Sequence, residues 1–328
     1  MIITRTPFRI SFFGGGTDYP NYYRQQGGKV LSATINRYCY LVVRKLPPFF
    51  EYKYRLRYSK MEHVSRVDEI LHPSIRECIR HCAEDGGLEI THTGDIPAMS
   101  GMGTSSAFTV GLLHALYASK GVMVTKRKLA YDAIHIEQDV LHEHVGSQDQ
   151  VAAAFGGLNL IRFGGPDEFF VEPIILPSER LHALQSNLFL FFTGFSRIAS
   201  EVAKHQIAAI GSRQTELASM RDMVDEALQM LISPTRPIDE FGTLLHQSWM
   251  VKRRLSDKIS NGDLDAIYER ARNAGAIGGK LCGAGGGGFM LLYVPGDRQE
   301  RFLAEFSGFL QVPFRFDTLG SHIVFYST

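Results

Sequence analysis

The sequence predicts an α+β protein built as two domains. Up to about residue 175, short apolar and β-branched segments dominate. Beyond that point long helical stretches take over, and 328 residues with 45% apolar content suffice for two cores. Turn-forming residues crowd at Gly164-Gly165-Pro166-Asp167 and again between Pro173 and Pro177, which places the domains at 1–175 and 176–328.

Residues 2–13 are strand-like and run into Gly14-Gly15-Gly16-Thr17-Asp18, and 30–46 is rich in β-branched and aromatic side chains. Residues 51–58 alternate charged and apolar, which predicts a strand with one wet face. A short strand at 88–92 leads through Asp95-Ile96-Pro97 into a glycine loop and a helix from about 105 to 119. Thr125 caps a helix expected to reach about 144, Gly146 breaks it, and Gly156-Gly157 opens a strand at 158–163. The second half offers strands at 188–192 and 289–294 and helices over 196–230, 238–260, 264–274 and 298–310. Final strands at 312–316 and 323–326 complete a split βαβ sandwich.

The formal net charge is +1, with no basic face that would suit nucleic acid, so small molecules are the expected partners. Four scattered cysteines do not make a disulfide framework, and Cys78 and Cys82, at i,i+4, read as buried thiols on one helix face. No apolar run approaches the ~18 residues of a membrane span, and no secretory segment opens the chain. The expectation is a cytoplasmic protein without membrane contact, and a homodimer is compatible with it.

Chemistry concentrates in Pro97-Ala98-Met99-Ser100-Gly101-Met102-Gly103-Thr104-Ser105-Ser106-Ala107. Glycines let backbone N–H groups approach an anion, and a helix starting at Thr104 or Ser105 adds free donors and the positive end of its dipole. No lysine follows the last glycine, so this is not the Walker loop. A second cluster, 283–288, has five glycines in six positions squeezed between Lys280 and an apolar strand, which points to close backbone approach to a ligand rather than a linker. With Gly14 to Gly16, three distant loops are expected to converge on one anionic site. Glu137, on a helix, and Asp149, just past its end, can face one cleft, although spacing alone favours a solvated helix acid and a capping aspartate. His135, His142 and His144 receive no catalytic role.

The motif from Pro97 through Gly101, Met102, Gly103, Thr104, Ser105 and Ser106 resembles the central ATP-binding motif of the GHMP small-molecule kinases. Residues 6–18 resemble that family's N-terminal substrate motif, and 280–288 its C-terminal glycine motif. The resemblance implies a ribosomal S5-like N-terminal domain, a ferredoxin-like C-terminal domain, and ATP and Mg²⁺ as cofactors. It also implies roles: Gly101 to Ser106 around the triphosphate, Ser105 and Glu137 as Mg²⁺ ligands, Asp149 as catalytic base, and Arg9 either steadying the transferred phosphoryl or orienting Asp149. Gly15, Gly16, Thr17 and Asp18 would meet the sugar, with Gly285 and Gly286 opposite.

Galactokinases read Gly-Glu-His-Thr-Asp where this chain has Gly14-Gly15-Gly16-Thr17-Asp18, which argues against galactose. The form of residues 6–18, the segment 192–200 and Trp249-x-x-Lys252 are most similar to the D-glycero-D-manno-heptose 7-phosphate kinases. Phosphorylation of the anomeric hydroxyl of a sugar phosphate is then implied, with Arg197 and Lys252 expected on the phosphate the substrate already carries. A fucokinase-like enzyme is the alternative. A silent sugar sensor would be expected to lose a metal ligand or the aspartate, and Ser105, Glu137 and Asp149 all stand.

Overall fold

The computed structural model describes residues 1–84, 86–165, 168–194 and 199–327. Its larger sheet has nine strands, ordered along the main path as His322–Tyr326, Ile2–Phe13, Gly28–Lys45, Leu88–Gly94, Tyr54–Arg57 and Met61–Val64. Ile2–Phe13 and Gly28–Lys45 form an antiparallel pair whose register slips between Pro7 and Phe8. Pro7 has no N–H to give to the ladder, so an irregularity belongs there. Leu158–Phe163 and Phe316–Asp317 pair with the first part of Gly28–Lys45.

The helix Thr104–Ser119 lies across these strands and buries residues on nearly every side, as its continuous apolar run requires. Its approach is close at Gly111, where an added Cβ would stand 2.7 Å from Thr6 Oγ1 and where Thr4 Oγ1 donates to the Gly111 carbonyl. The smaller sheet orders Leu310–Gln311, Leu188–Phe192, Phe289–Tyr293 and Gly278–Leu281. Trp249, Tyr268 and Phe302 fill a second core on this half of the molecule.

Several elements differ from the sequence expectation. Thr125 does cap a helix, accepting from Lys128 N, but the α-helix ends at Ile134 and continues as a π-turn, His135–Val140, leaving residues 141–147 irregular. The wider turn accompanies Glu137 turned into the core, where hydroxyls of the neighbouring helix hold it. The helix foreseen over 196–230 is divided into Ala199–Ala209, a 3₁₀ turn and Gln214–Ile232. The last strands do not complete the second domain: Phe316–Asp317 joins Thr34 and Ile35, and His322–Tyr326 flanks the first strand. The chain therefore returns to its starting sheet, and a cut at 175 severs that pairing. Cys78 and Cys82 are both buried. Among the described residues no helix is long and apolar enough to cross a membrane.

Candidate active site

The three glycine loops do converge, and their glycines serve loop-to-loop contact. Gly101, at φ +80°, could carry a Cβ only 2.5 Å from the Cys282 carbonyl oxygen, and a Cβ on Gly283 would lie 2.5 Å from Gly101 Cα. Two backbones this close exclude any side chain. Gly103, also left-handed, caps the helix Thr104–Ser119. The first loop joins the cluster through Asp18: its carboxylate accepts from Gly16 N (2.9 Å) and Gln148 N (3.3 Å), and its carbonyl accepts from Ser147 N. Burial, and then the negative charge of Asp149, push the Asp18 carboxyl above the ordinary carboxylate range.

Asp149 begins the helix Gln148–Phe155 and meets Arg9 in a fork, with Nε on Oδ1 and Nη2 on Oδ2, both at 2.7 Å. The remaining terminal nitrogen of Arg9 donates to the Gly101 carbonyl at 2.8 Å, so the first strand, the glycine loop and the aspartate are locked together. Of the two roles expected for Arg9, the geometry displays the orienting one. The Asp149 side chain is 23% exposed and Arg9's 5%, which leaves the aspartate open to the cleft on one side.

Glu137 has no exposed surface. Ser106 Oγ (2.8 Å) and Gln150 Nε2 donate to one oxygen and Thr109 Oγ1 (2.7 Å) to the other. Burial, followed by the nearby Glu143, raises its carboxyl to about 7 despite these three donors. Of the two serines, the one in contact with Glu137 is thus Ser106, while Ser105 is exposed at the helix start. Ser106 and Thr109 are i,i+3 on one face, and Gln150 follows Asp149 by one residue. Both relations can be read in the sequence once Glu137 is known to point inward.

Other expected contacts fall elsewhere. Thr17 is buried, donating to the Gly14 and Lys29 carbonyls and accepting from Lys29 N, which makes it a loop fastener. Met102 is core, and its carbonyl accepts from Arg9 N. The Gly286 N–H is taken by the Ile259 carbonyl, and Gly285 abuts the Ile259 backbone, so this pair leans on its own domain rather than opening toward the first loop. Gly15 and Gly16 are partly exposed, as is Thr104, and Pro97 is exposed. Arg197 lies outside the described residues. Lys252 is buried in the cleft, its ammonium donating to the Gly283 carbonyl. Lys280, which flanks the second glycine cluster, donates to the Ser11 and Phe12 carbonyls at 2.7 and 2.9 Å and ties the smaller sheet to the first strand.

The donor set suits a hard cation beside a polyphosphate. Its donors are oxygens, and Ser100 Oγ in the glycine loop and Gln148 Oε1 and Gln150 Oε1 on either side of Asp149 in its helix are buried with no hydrogen-bond partner. Left-handed Gly101 and Gly103 precede the helix Thr104–Ser119, whose first N–H groups have no partner within the helix, an arrangement suited to phosphate.

The family model of the GHMP kinases N terminal domain matches residues 71–157, and that of the GHMP kinases C terminal matches 226–310. The D-glycero-alpha-D-manno-heptose 7-phosphate kinase of Campylobacter jejuni is 32% identical over 308 residues, covering 89% of each chain. The chain belongs to the GHMP kinases. It is a small-molecule kinase that uses ATP. Among solved structures, this GHMP kinase has the fold of a D-glycero-D-manno-heptose 1-phosphate kinase from Bacteroides thetaiotaomicron (TM-score 0.81, 24% identity, all of both chains). A Streptococcus pneumoniae phosphomevalonate kinase shares it too, with a TM-score of 0.77 at 15% identity over 97% of this chain and 100% of the other.

Proposed function

We propose that this GHMP kinase phosphorylates the anomeric hydroxyl of D-glycero-D-manno-heptose 7-phosphate, giving the 1,7-bisphosphate that precedes a nucleotide-activated heptose. The observation that carries the sugar assignment is the 32% identity with the Campylobacter jejuni enzyme of that name across 89% of both chains. The Arg9–Asp149 fork beside Asp18 carries the chemistry.

In this reading Asp149 accepts the proton of the anomeric hydroxyl, and the oxygen attacks the γ-phosphorus. The bond from phosphorus to the β–γ bridging oxygen breaks, and ADP leaves with the electron pair. Arg9 holds Asp149 in the orientation that accepts the proton. Gly15, Gly16 and Asp18 line the sugar side, while Gly101 to Ser106 wrap the triphosphate. A bound Mg²⁺ would neutralise charge on the β- and γ-phosphates, held by Glu137 with Ser105. Arg197 is kept as the expected partner of the phosphate already on the sugar.

The names of the two heptose kinases differ in the position of that phosphate, and a bifunctional L-fucokinase of Bacteroides fragilis is 24% identical over 88% of this chain. ADP release over a panel of heptose 7-phosphate, heptose 1-phosphate, free heptose and fucose, with the product position read by ³¹P NMR, tests the assignment. The expected outcome is turnover of heptose 7-phosphate with a new anomeric phosphate. Turnover confined to fucose or to the 1-phosphate would overturn it.

A further inference from the structure

Three buried cations reach the cleft, and their donors are used unequally. Arg9 spends three of its five N–H groups, two on Asp149 and one on the Gly101 carbonyl, and these three contacts fix the plane of its guanidinium. Lys280 is seated on two carbonyls of the first strand, Ser11 and Phe12. Lys252, projecting from the helix Asp239–Arg253, is 5% exposed and spends one of its three N–H groups, on the Gly283 carbonyl. An ammonium out of water with two donors over is an unfinished arrangement, because buried donors are nearly always paired.

Its position says what would complete it. Gly283 abuts Gly101, whose carbonyl is the one Arg9 holds, so Lys252 and Arg9 grip the two glycine loops on either side of their contact. The charges of Arg9 and Asp18 both act on the Lys252 ammonium. That is the reacting end of the cleft. The phosphate already on a heptose 7-phosphate hangs from the carbon at the far end of the sugar chain, so a cation here is badly placed for it and well placed for the group in flight.

We propose that Lys252 binds the transferred phosphoryl group, supplying the cation that Arg9, fixed on Asp149, does not. This rests on the kinase reading above and departs from the sequence expectation that Lys252 holds the sugar's own phosphate. Lys252 releases the Gly283 carbonyl, or shares its donors with it, as negative charge gathers on the phosphoryl oxygens, so the contact strengthens in the transition state and its loss falls on kcat. Besides burial, the groups that set its charge are Cys282 and Asp18, which favour protonation, and Arg9, which opposes it; Lys280 is the other cation of this cleft, and its own ammonium is lowered by burial and then by Lys252. Burial outweighs the favouring groups and lowers the Lys252 ammonium to about 8. The charged form is therefore present at neutral pH and is lost as the pH rises through that value.

The test is steady-state kinetics of Lys252→Met and Lys252→Arg with the sugar that the wild type phosphorylates. Lys252→Met should lose kcat by about 100-fold or more with KM for the sugar nearly unchanged, and Lys252→Arg should recover part of the loss. A raised KM for the sugar phosphate at unchanged kcat, absent with the unphosphorylated sugar, would return Lys252 to the resident phosphate and overturn the proposal. Where the Met variant does not fold, the wild type decides by its pH profile: kcat should decline above about 8, and a profile flat from about pH 7 to 10 overturns it. If the wild type prefers a different sugar, the heptose assignment falls and this test runs unaltered. If it phosphorylates none, both fall.

Discussion

Glu137 and Asp149 are twelve residues apart and carry the same charge, yet the fold treats them oppositely. Asp149 stands at a helix start, partly open to the cleft and forked to a guanidinium. Glu137 lies on a π-turn with no exposed surface, held by two hydroxyls and an amide, none of them charged. A full positive charge fixes Asp149's direction and keeps a lone pair facing the cleft. Neutral donors hold Glu137's geometry but leave its ionisation in contest with burial. In the proposed function the comparison separates a group placed to accept a proton during each turnover from one that needs a positive charge beside it to be settled as an anion.

The largest effect should come from Asp149→Asn, which keeps shape and removes the acceptor. We expect kcat to fall roughly 1,000-fold with nucleotide binding retained and the melting temperature lowered, because the buried Arg9 loses its counter-charge, measured by ADP release and calorimetry. A variant with wild-type turnover would end the assignment of Asp149 as base.

Glu137→Gln should lower kcat less, by about 100-fold, and it carries a stability signature of its own. The Glu137 carboxyl sits at about 7 against an ordinary 4.5, so folding favours its protonated form. Its contribution is complete below about 4.5 and is lost as the pH rises through about 7, a swing on the order of 3 kcal/mol. In chelator, the wild type should therefore lose stability relative to Glu137→Gln between pH 5 and pH 8. Added Mg²⁺ should restore it at pH 8 for the wild type alone. A difference in melting temperature that ignores pH would show that Glu137 is already ionised within its cage.

The sequence made one of these environments more legible than the other. The motif containing Asp149 follows a helix-breaking glycine and lies in the family's order, and its fork with Arg9 joins two residues already marked. The cage of Glu137 was hidden because it depends on how the helix Thr104–Ser119 rotates, and an almost wholly apolar helix gives periodicity no face to choose. The same limit explains the last strands. Residues 316–317 and 322–326 have ordinary strand composition, and nothing local says that they return across the chain to Thr34 and Ile2. The second glycine cluster reads as backbone closing on a ligand, and the closeness the structure displays is one loop lying on another, at Gly101 and Gly283.

The smallest effects should discriminate the two serines. Ser105 is exposed at the helix start and touches nothing of Glu137, whereas Ser106 donates to it. If Ser105 ligates the cation, Ser105→Ala should raise the Mg²⁺ concentration for half-maximal rate several-fold and leave the acid limb of the pH profile in place. Ser106→Ala should do the reverse. It removes a donor from the charged form of Glu137, a bond of about 1.5 kcal/mol or more, so the carboxyl rises by about one further pH unit and the acid limb of the rate profile moves up with it. Magnesium titrations at pH 6.5 and 8.5 separate the cases, because a variant that merely protonates Glu137 recovers at the higher pH and a variant that has lost a ligand does not. Recovery of Ser105→Ala alone at pH 8.5, with Ser106→Ala still demanding extra Mg²⁺, would transfer the ligand role from Ser105 to Ser106 and make the Glu137 cage the metal site itself.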